Sequence, residues 1–259
     1  MKMTQTVRRG GPADDQSGRY NLFLLLANVR ETGIFLFIVL LVILVSLRSP
    51  YFLNVENFRD IFLDIAILSM VAIGQMMVVI TRGIDLSVGS GIGFSAMAIG
   101  MYVSAHWGMP PWAAVLMGTG LGILMGGFNG LVVTVGRVPP IIVTLGTLSI
   151  YRGLVYVVSQ GAWVDAHELP VAFKQFTIRT IFGIPALIIF AVIVAVVFYY
   201  FLNHTRTGRQ IYAVGSNPTA AQFAGLRVNR IIFMVFVLSG ALYGMSLSLI
   251  HISEPTRPY

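Results

Sequence analysis

Seven apolar runs, at 33–47, 61–80, 88–105, 112–135, 140–158, 183–202 and 231–246, follow one another along this chain, most of them separated by short polar breaks. Runs of this length match the ~20 residues a helix needs to cross a bilayer. In hydrocarbon the backbone must satisfy its own polar groups, which admits helices and closed barrels. No period-two alternation marks strands, so the runs predict an all-α polytopic membrane protein with about seven transmembrane helices. Only 10% of residues are charged, against ~25% in a soluble domain. Too little polar surface remains to face water. Several runs are rich in Gly, Ala and Met, which suits helices packed on helices.

The net charge of +7 comes from arginines lying between the apolar runs, not in one patch with interleaved aromatics. This is the pattern of membrane topology, and no nucleic-acid partner is expected. With the N-terminus in the cytoplasm, inside segments hold eleven Lys or Arg and outside loops hold four. The opposite orientation reverses the ratio, so the N-terminus is expected inside. That places 159–182 outside and 203–230 inside. The chain then divides into a cytoplasmic segment 1–30, a transmembrane domain 31–246 and a tail 247–259. The first 20 residues are polar, so no cleavable signal peptide is expected and the first run stays as a span.

Cysteine is absent, which excludes disulfides, thiolate metal sites and Cys nucleophiles. No P-loop, H-E-x-x-H, G-x-S-x-G or paired-carboxylate arrangement occurs, so no enzymatic site, cofactor or metal is expected in this chain. His106, His167, His204 and His251 are not spaced as ligand pairs. Asp64 and Arg152 are the charges within apolar runs, and such charges are functional candidates. Their scarcity favours a transporter driven by a partner over one with its own ion relay.

In the fourth run Gly118, Gly122, Gly126 and Gly130 recur at four-residue spacing, leaving one helix face nearly bare. A second helix can approach closely there, so these residues are expected to pack helices; a part in substrate passage is the alternative.

Three blocks carry a resemblance: TRGIDLSVGS at 81–90, GGFNGLVVTVGRVPPIIVTLGTLSIYRGL at 126–154 and HTRTGRQIYAVGSNPTAAQFAGLRVNR at 204–230. In this order the chain resembles, over roughly residues 30–246, the permeases of bacterial sugar ABC importers, which include the ribose, xylose, rhamnose and autoinducer-2 permeases. The resemblance implies a multi-pass inner-membrane subunit that pairs with a second permease, binds cytoplasmic ATPase subunits and receives sugar from a periplasmic binding protein. Members of that family are usually longer, with several further spans and a Gly-rich block not found here.

Within the blocks, Asp85 precedes Ser87 and Gly89 at the start of the third run. It reads either as the N-cap of that helix or as part of a gate or ATPase contact. Pro139 and Pro140 suit the first turn of the fifth helix. Thr144, Thr147 and Ser149 on that helix either bond neighbouring helices or line a path for a hydroxyl-rich solute. In 203–230, Asn217 and Pro218 mark a turn, and Ala220–Leu226 reads as a short helix stopped by Gly225. The resemblance makes this a coupling helix seated in an ATPase groove, with Ala220, Ala221 and Ala224 permitting close approach. A plain connecting loop is the alternative. Residues 161–176, with Trp163, Asp165 and Glu168, resemble the autoinducer-2 and rhamnose permeases more than the ribose one.

The tail LSLIHISEPTRPY at 247–259 breaks off the last run with prolines and charges. It resembles a translated transposase-type sequencing adapter, so a shortened chain is expected that does not transport by itself. Rival readings are a branched-chain amino acid permease, an ion-coupled secondary transporter and a receptor-like membrane protein.

Overall fold

A computed structural model describes residues 32–162, 164, 170 and 179–248. The segment 1–30, Trp163, Asp165, Glu168 and the tail beyond Ser248 lie outside them. The chain divides into two units, residues 1–58 and 59–259.

In the first unit α1 (Thr32–Arg48) is apolar on every side and none of its side chains is buried. A helix of that kind belongs in lipid or among other helices. Its 17 residues reach about 25 Å at ~1.5 Å per residue. The described residues therefore contain six helices long enough to cross a membrane, with α1 a shorter seventh.

The six are α2 (Val55–Ile80), α3 (Val88–Ala105), α4 (Pro111–Thr134), α5 (Pro140–Ser159), α6 (Ala186–His204) and α9 (Val228–Ser248). Prolines at the first turn start α4 and α5, where a missing N–H costs nothing. The interior of the second unit is built around α4 against α9. A Cβ on Gly122 would overlap the carbonyl oxygen of Gly240, one on Gly126 that of Phe236, and one on Gly244 that of Gly118. Glycines thus face each other from both helices, and the backbones meet with no side chain between them. Beside this contact, Met70 and Met77 of α2, Leu187 of α6 and Phe236 of α9 form one buried cluster.

Two elements differ from the sequence expectation. A short hairpin, β1 (Thr180–Ile181) and β2 (Ile184–Pro185), pairs Thr180 with Pro185 and Ile181 with Ile184 where no strand was expected. Phe182 and Gly183 have φ of 53° and 80°, the positive pair of a tight hairpin turn. The segment 203–230 holds two helices, not one: α7 (Arg206–Ser216) and α8 (Pro218–Phe223). Thr205 ends α6 and caps α7, its hydroxyl accepting from the Gly208 amide at 3.0 Å. Ile211 and Val214 of α7 are fully buried in the common cluster. The predicted helix of 220–226 starts and ends earlier, at 218 and 223.

Candidate functional site

The first block forms the turn between α2 and α3. α2 ends with the Gly83 amide donating to the Val78 carbonyl and the Arg82 amide to Val79, both at 2.9 Å. This is a Schellman stop whose left-handed position is usually glycine. Here it is Arg82, with φ 63°, and the backbone cost for a residue with a Cβ is about 1–2 kcal/mol. The side chain explains the choice. Arg82 Nε donates to the Gly215 carbonyl at 2.6 Å and Nη2 to the Ser216 carbonyl. These are the last carbonyls of α7, where a cation also complements the helix dipole. Gly215 itself lies so close to the end of α2 that a Cβ would overlap the Ile80 carbonyl. α7 is thereby bolted to the α2–α3 turn.

Asp85 does not cap α3: Ser87 holds the N-cap position, and its own side chain makes no capping bond to the first turn. Instead Asp85 is buried and Oδ1 accepts from the Ser87 amide at 3.0 Å and the Ser87 hydroxyl at 2.6 Å. Ser87 Oγ in turn accepts from Asn129 Nδ2 of α4 at 2.8 Å. Burial pushes the Asp85 carboxyl above its ordinary range, and the two Ser87 bonds pull partly back. Asp85 Oδ2, Asn129 Oδ1, Ser95 Oγ and the Tyr243 hydroxyl are buried and without partners among the described residues. On the other side of the turn, Thr144 Oγ1 of α5 donates to the Ile84 carbonyl at 3.1 Å. One turn of seven residues thus bonds α7, α4 and α5.

Thr147 bonds the Val143 carbonyl of its own helix, and Ser149 is exposed. Gly89 lies two residues beyond Ser87 with open space at its Cα. It borders a cavity of about 420 Å³ between α3 and α5 that also takes in Arg152, Tyr156 and Ser159. Asp64 is exposed on α2.

α8 is locally determined. Asn217 Oδ1 accepts from the Ala220 amide at 3.0 Å, and Pro218 fills the first turn. Gly225, with φ 82°, closes a Schellman motif in which the Leu226 amide donates to Ala221 and the Gly225 amide to Gln222, both at 3.0 Å. Ala221 points into the chain's own core and is 5% exposed. The outward face is Ala220, Ala224 and Phe223, the last 89% exposed. Sequence reading missed Phe223, Arg82 and Asn129. The readable signals were an amide within a glycine-rich apolar run and an arginine where a glycine would end a helix.

Among the described residues no three His, Asp or Glu side chains gather as a metal site.

Residues 57–250 match the family described as branched-chain amino acid transport system / permease component. The autoinducer 2 import system permease protein of Salmonella typhi is 35% identical over 219 residues, 85% of this chain and 62% of the relative. The ribose import permease protein of Bacillus subtilis (strain 168) is 35% identical over 233 residues, 88% of this chain and 71% of the relative. The chain spans 62% of the length of the autoinducer 2 relative. No solved structure matches.

Proposed function

We propose, because this chain belongs to the transport-system permease family matched by residues 57–250, that it is the membrane subunit of an ATP-driven importer and carries a sugar or sugar-like solute. The relatives' names favour sugar over the amino acids of the family description, since they read ribose and autoinducer 2. The subunit works beside a second permease subunit, takes its solute from a periplasmic binding protein and is driven by cytoplasmic ATPase subunits that hold the hydrolytic site.

The observation that carries the reading is the fixing of α7, the helix that leads into α8, to the spans through Arg82. The arginine count puts these helices on the cytoplasmic side, and Phe223 with Ala220 and Ala224 offers an exposed apolar knob to an ATPase groove. A push on α8 passes to α7, through Arg82 to the α2–α3 turn, and from that turn to α4 through Asn129 and to α5 through Thr144. Such a relay can switch the spans between outward and inward access.

Uptake in cells carrying the importer tests this. Radiolabelled ribose should enter and radiolabelled leucine should not, and entry should stop when the P-loop lysine of the ATPase is replaced. Leucine uptake, or ribose uptake that survives that replacement and collapses with an uncoupler, overturns the reading.

A further inference from the structure

We propose that Asp85 carries a proton held against the Asn129 amide, and that loss of this proton as cytoplasmic pH rises unlinks the α2–α3 turn from α4. The regulation rests on the function proposed above. The place of the proton rests on the chain's own hydrogen bonds.

The hydrogens available to Asp85, Ser87 and Asn129 do not suffice for an ionised carboxyl. The Ser87 amide and hydroxyl both donate to Asp85 Oδ1, and Asn129 Nδ2 donates to Ser87 Oγ. Asp85 Oδ2 and Asn129 Oδ1 are left, both buried and without partners among the described residues. Two acceptors cannot satisfy each other. A proton on Asp85 Oδ2 turns it into a donor, and Asn129 Oδ1 is the unfilled acceptor across Ser87. Turning the Asn129 amide over leaves the shortage in place. The Ser87 hydroxyl then has one hydrogen for two acceptors, Asp85 at 2.6 Å and Asn129 at 2.8 Å. The second hydrogen has to come from the carboxyl.

Charge gives the same answer. Asp85 is 6% exposed and Asn129 is fully buried. An ionised carboxyl so enclosed needs a cation. Arg82 of the same turn is committed to the Gly215 and Ser216 carbonyls. The titratable groups that face Asp85 from the packed helices are Tyr151 of α5 and Tyr243 of α9, and neither is a cation. Tyr151 donates to the Met125 carbonyl at 3.0 Å. A trapped water supplies hydrogens but leaves the charge uncompensated. Burial accordingly pushes the carboxyl up against the pull of the two Ser87 bonds. All these groups lie inside the chain's own α3, α4, α5 and α9, so whatever covers its outer faces does not alter the count.

When the proton leaves, a carboxylate without a cation remains. It gains hydration only if the turn draws away from α4. The turn that α7 holds through Arg82 then no longer moves α4 through Asn129. The arginine count places this turn on the inner side, so cytoplasmic protons set its state.

Infrared spectra of the permease with its ATPase in lipid vesicles locate the proton. At neutral pH, the parent spectrum minus that of Asp85→Asn should show the carbonyl stretch of a carboxylic acid, shifted in heavy water, and no carboxylate bands. Ser87→Ala removes a bond that holds the carboxyl down, so its acid band should persist to higher pH than the parent's. Above the pH where the parent's acid band fades, ATP hydrolysis stimulated by ribose-loaded binding protein should fall by up to about tenfold per pH unit, as one carboxyl gives up its proton. Asp85→Asn, whose amide keeps a donor for Asn129, should hold its stimulation over the same range. Carboxylate bands at neutral pH overturn the inference, because Asp85 Oδ2 then takes its hydrogens from a trapped water. Equal pH profiles of stimulation in the parent and Asp85→Asn overturn it too. So does an Asp85→Asn permease that inserts and no longer assembles with the ATPase, because the negative charge is then required. Each of these results leaves ribose uptake by the parent, and with it the permease reading, standing. Leucine uptake with the acid band in place overturns that reading and keeps the proton.

Discussion

Arg82 Nε reaches across from the end of α2 to the Gly215 carbonyl of α7 at 2.6 Å, from a backbone conformation usually left to glycine. The strain of ~1–2 kcal/mol is offset by two charge-assisted hydrogen bonds at ~1.5–3 kcal/mol each. Arg82→Gly should therefore leave the end of α2 intact and loosen α7. Amide exchange over 209–216 should quicken about tenfold or more, the factor for ~1.4 kcal/mol of lost restraint, while α2 exchanges as before. Unchanged exchange in α7 would show that the buried Ile211 and Val214 hold it alone.

The glycines of α4 differ in what surrounds them. Gly122→Ala pushes a methyl into the Gly240 carbonyl, whereas Gly120→Ala meets open space. Overpacking costs typically ~1–3 kcal/mol, so Gly122→Ala should lower the melting temperature in detergent clearly and Gly120→Ala should not. Equal melting temperatures would mean that α4 and α9 separate without cost.

Asp85 makes stability depend on pH. Its carboxyl is raised above the ordinary value of 3.8 in the folded chain by burial, so between the ordinary and the raised value the folded state binds more protons than the unfolded one. Stability is then fully present below the ordinary carboxylate range and falls as pH rises through that window. Asp85→Asn keeps an acceptor for Ser87 and cannot ionise. It should remove this fall, measured as melting temperature against pH, and a slope equal to that of the parent protein would refute the assignment.

α8 separates a folding residue from a contact residue. Ala221→Glu places a charge where the side chain is 5% exposed, so it should destabilise the permease itself by a few kcal/mol. Phe223 is 89% exposed, so Phe223→Ala should leave melting unchanged and reduce co-purification of the ATPase. Full retention of the ATPase by Phe223→Ala would remove α8 from the contact.

Much of this arrangement is legible in the sequence where a local rule acts. The apolar runs foretell the helices, the four-residue glycine spacing foretells a bare face on α4, and Asn217, Pro218 and Gly225 foretell the ends of a short helix. What is not legible depends on distant partners. That α4 meets Gly240 and Gly244 of α9 is settled by packing over more than a hundred positions. α7 is polar enough to read as loop, and its three buried positions, Gly208, Ile211 and Val214, acquire meaning only against the ends of α2 and α6. Asp85 has the composition of an N-cap. Its carboxylate turns instead to the Ser87 hydroxyl because Asn129, donated by another helix, orients that hydroxyl.

The relay through Arg82 is tested most directly in proteoliposomes holding the permease with its ATPase, by measuring ATP hydrolysis and ribose uptake together after adding ribose-loaded binding protein. With Arg82→Ala, assembly and basal hydrolysis should persist, while stimulated hydrolysis and uptake fall about tenfold or more, as expected for a coupling of at least ~1.4 kcal/mol. Stimulation and uptake at the parent level, with the ATPase still bound, would contradict the account.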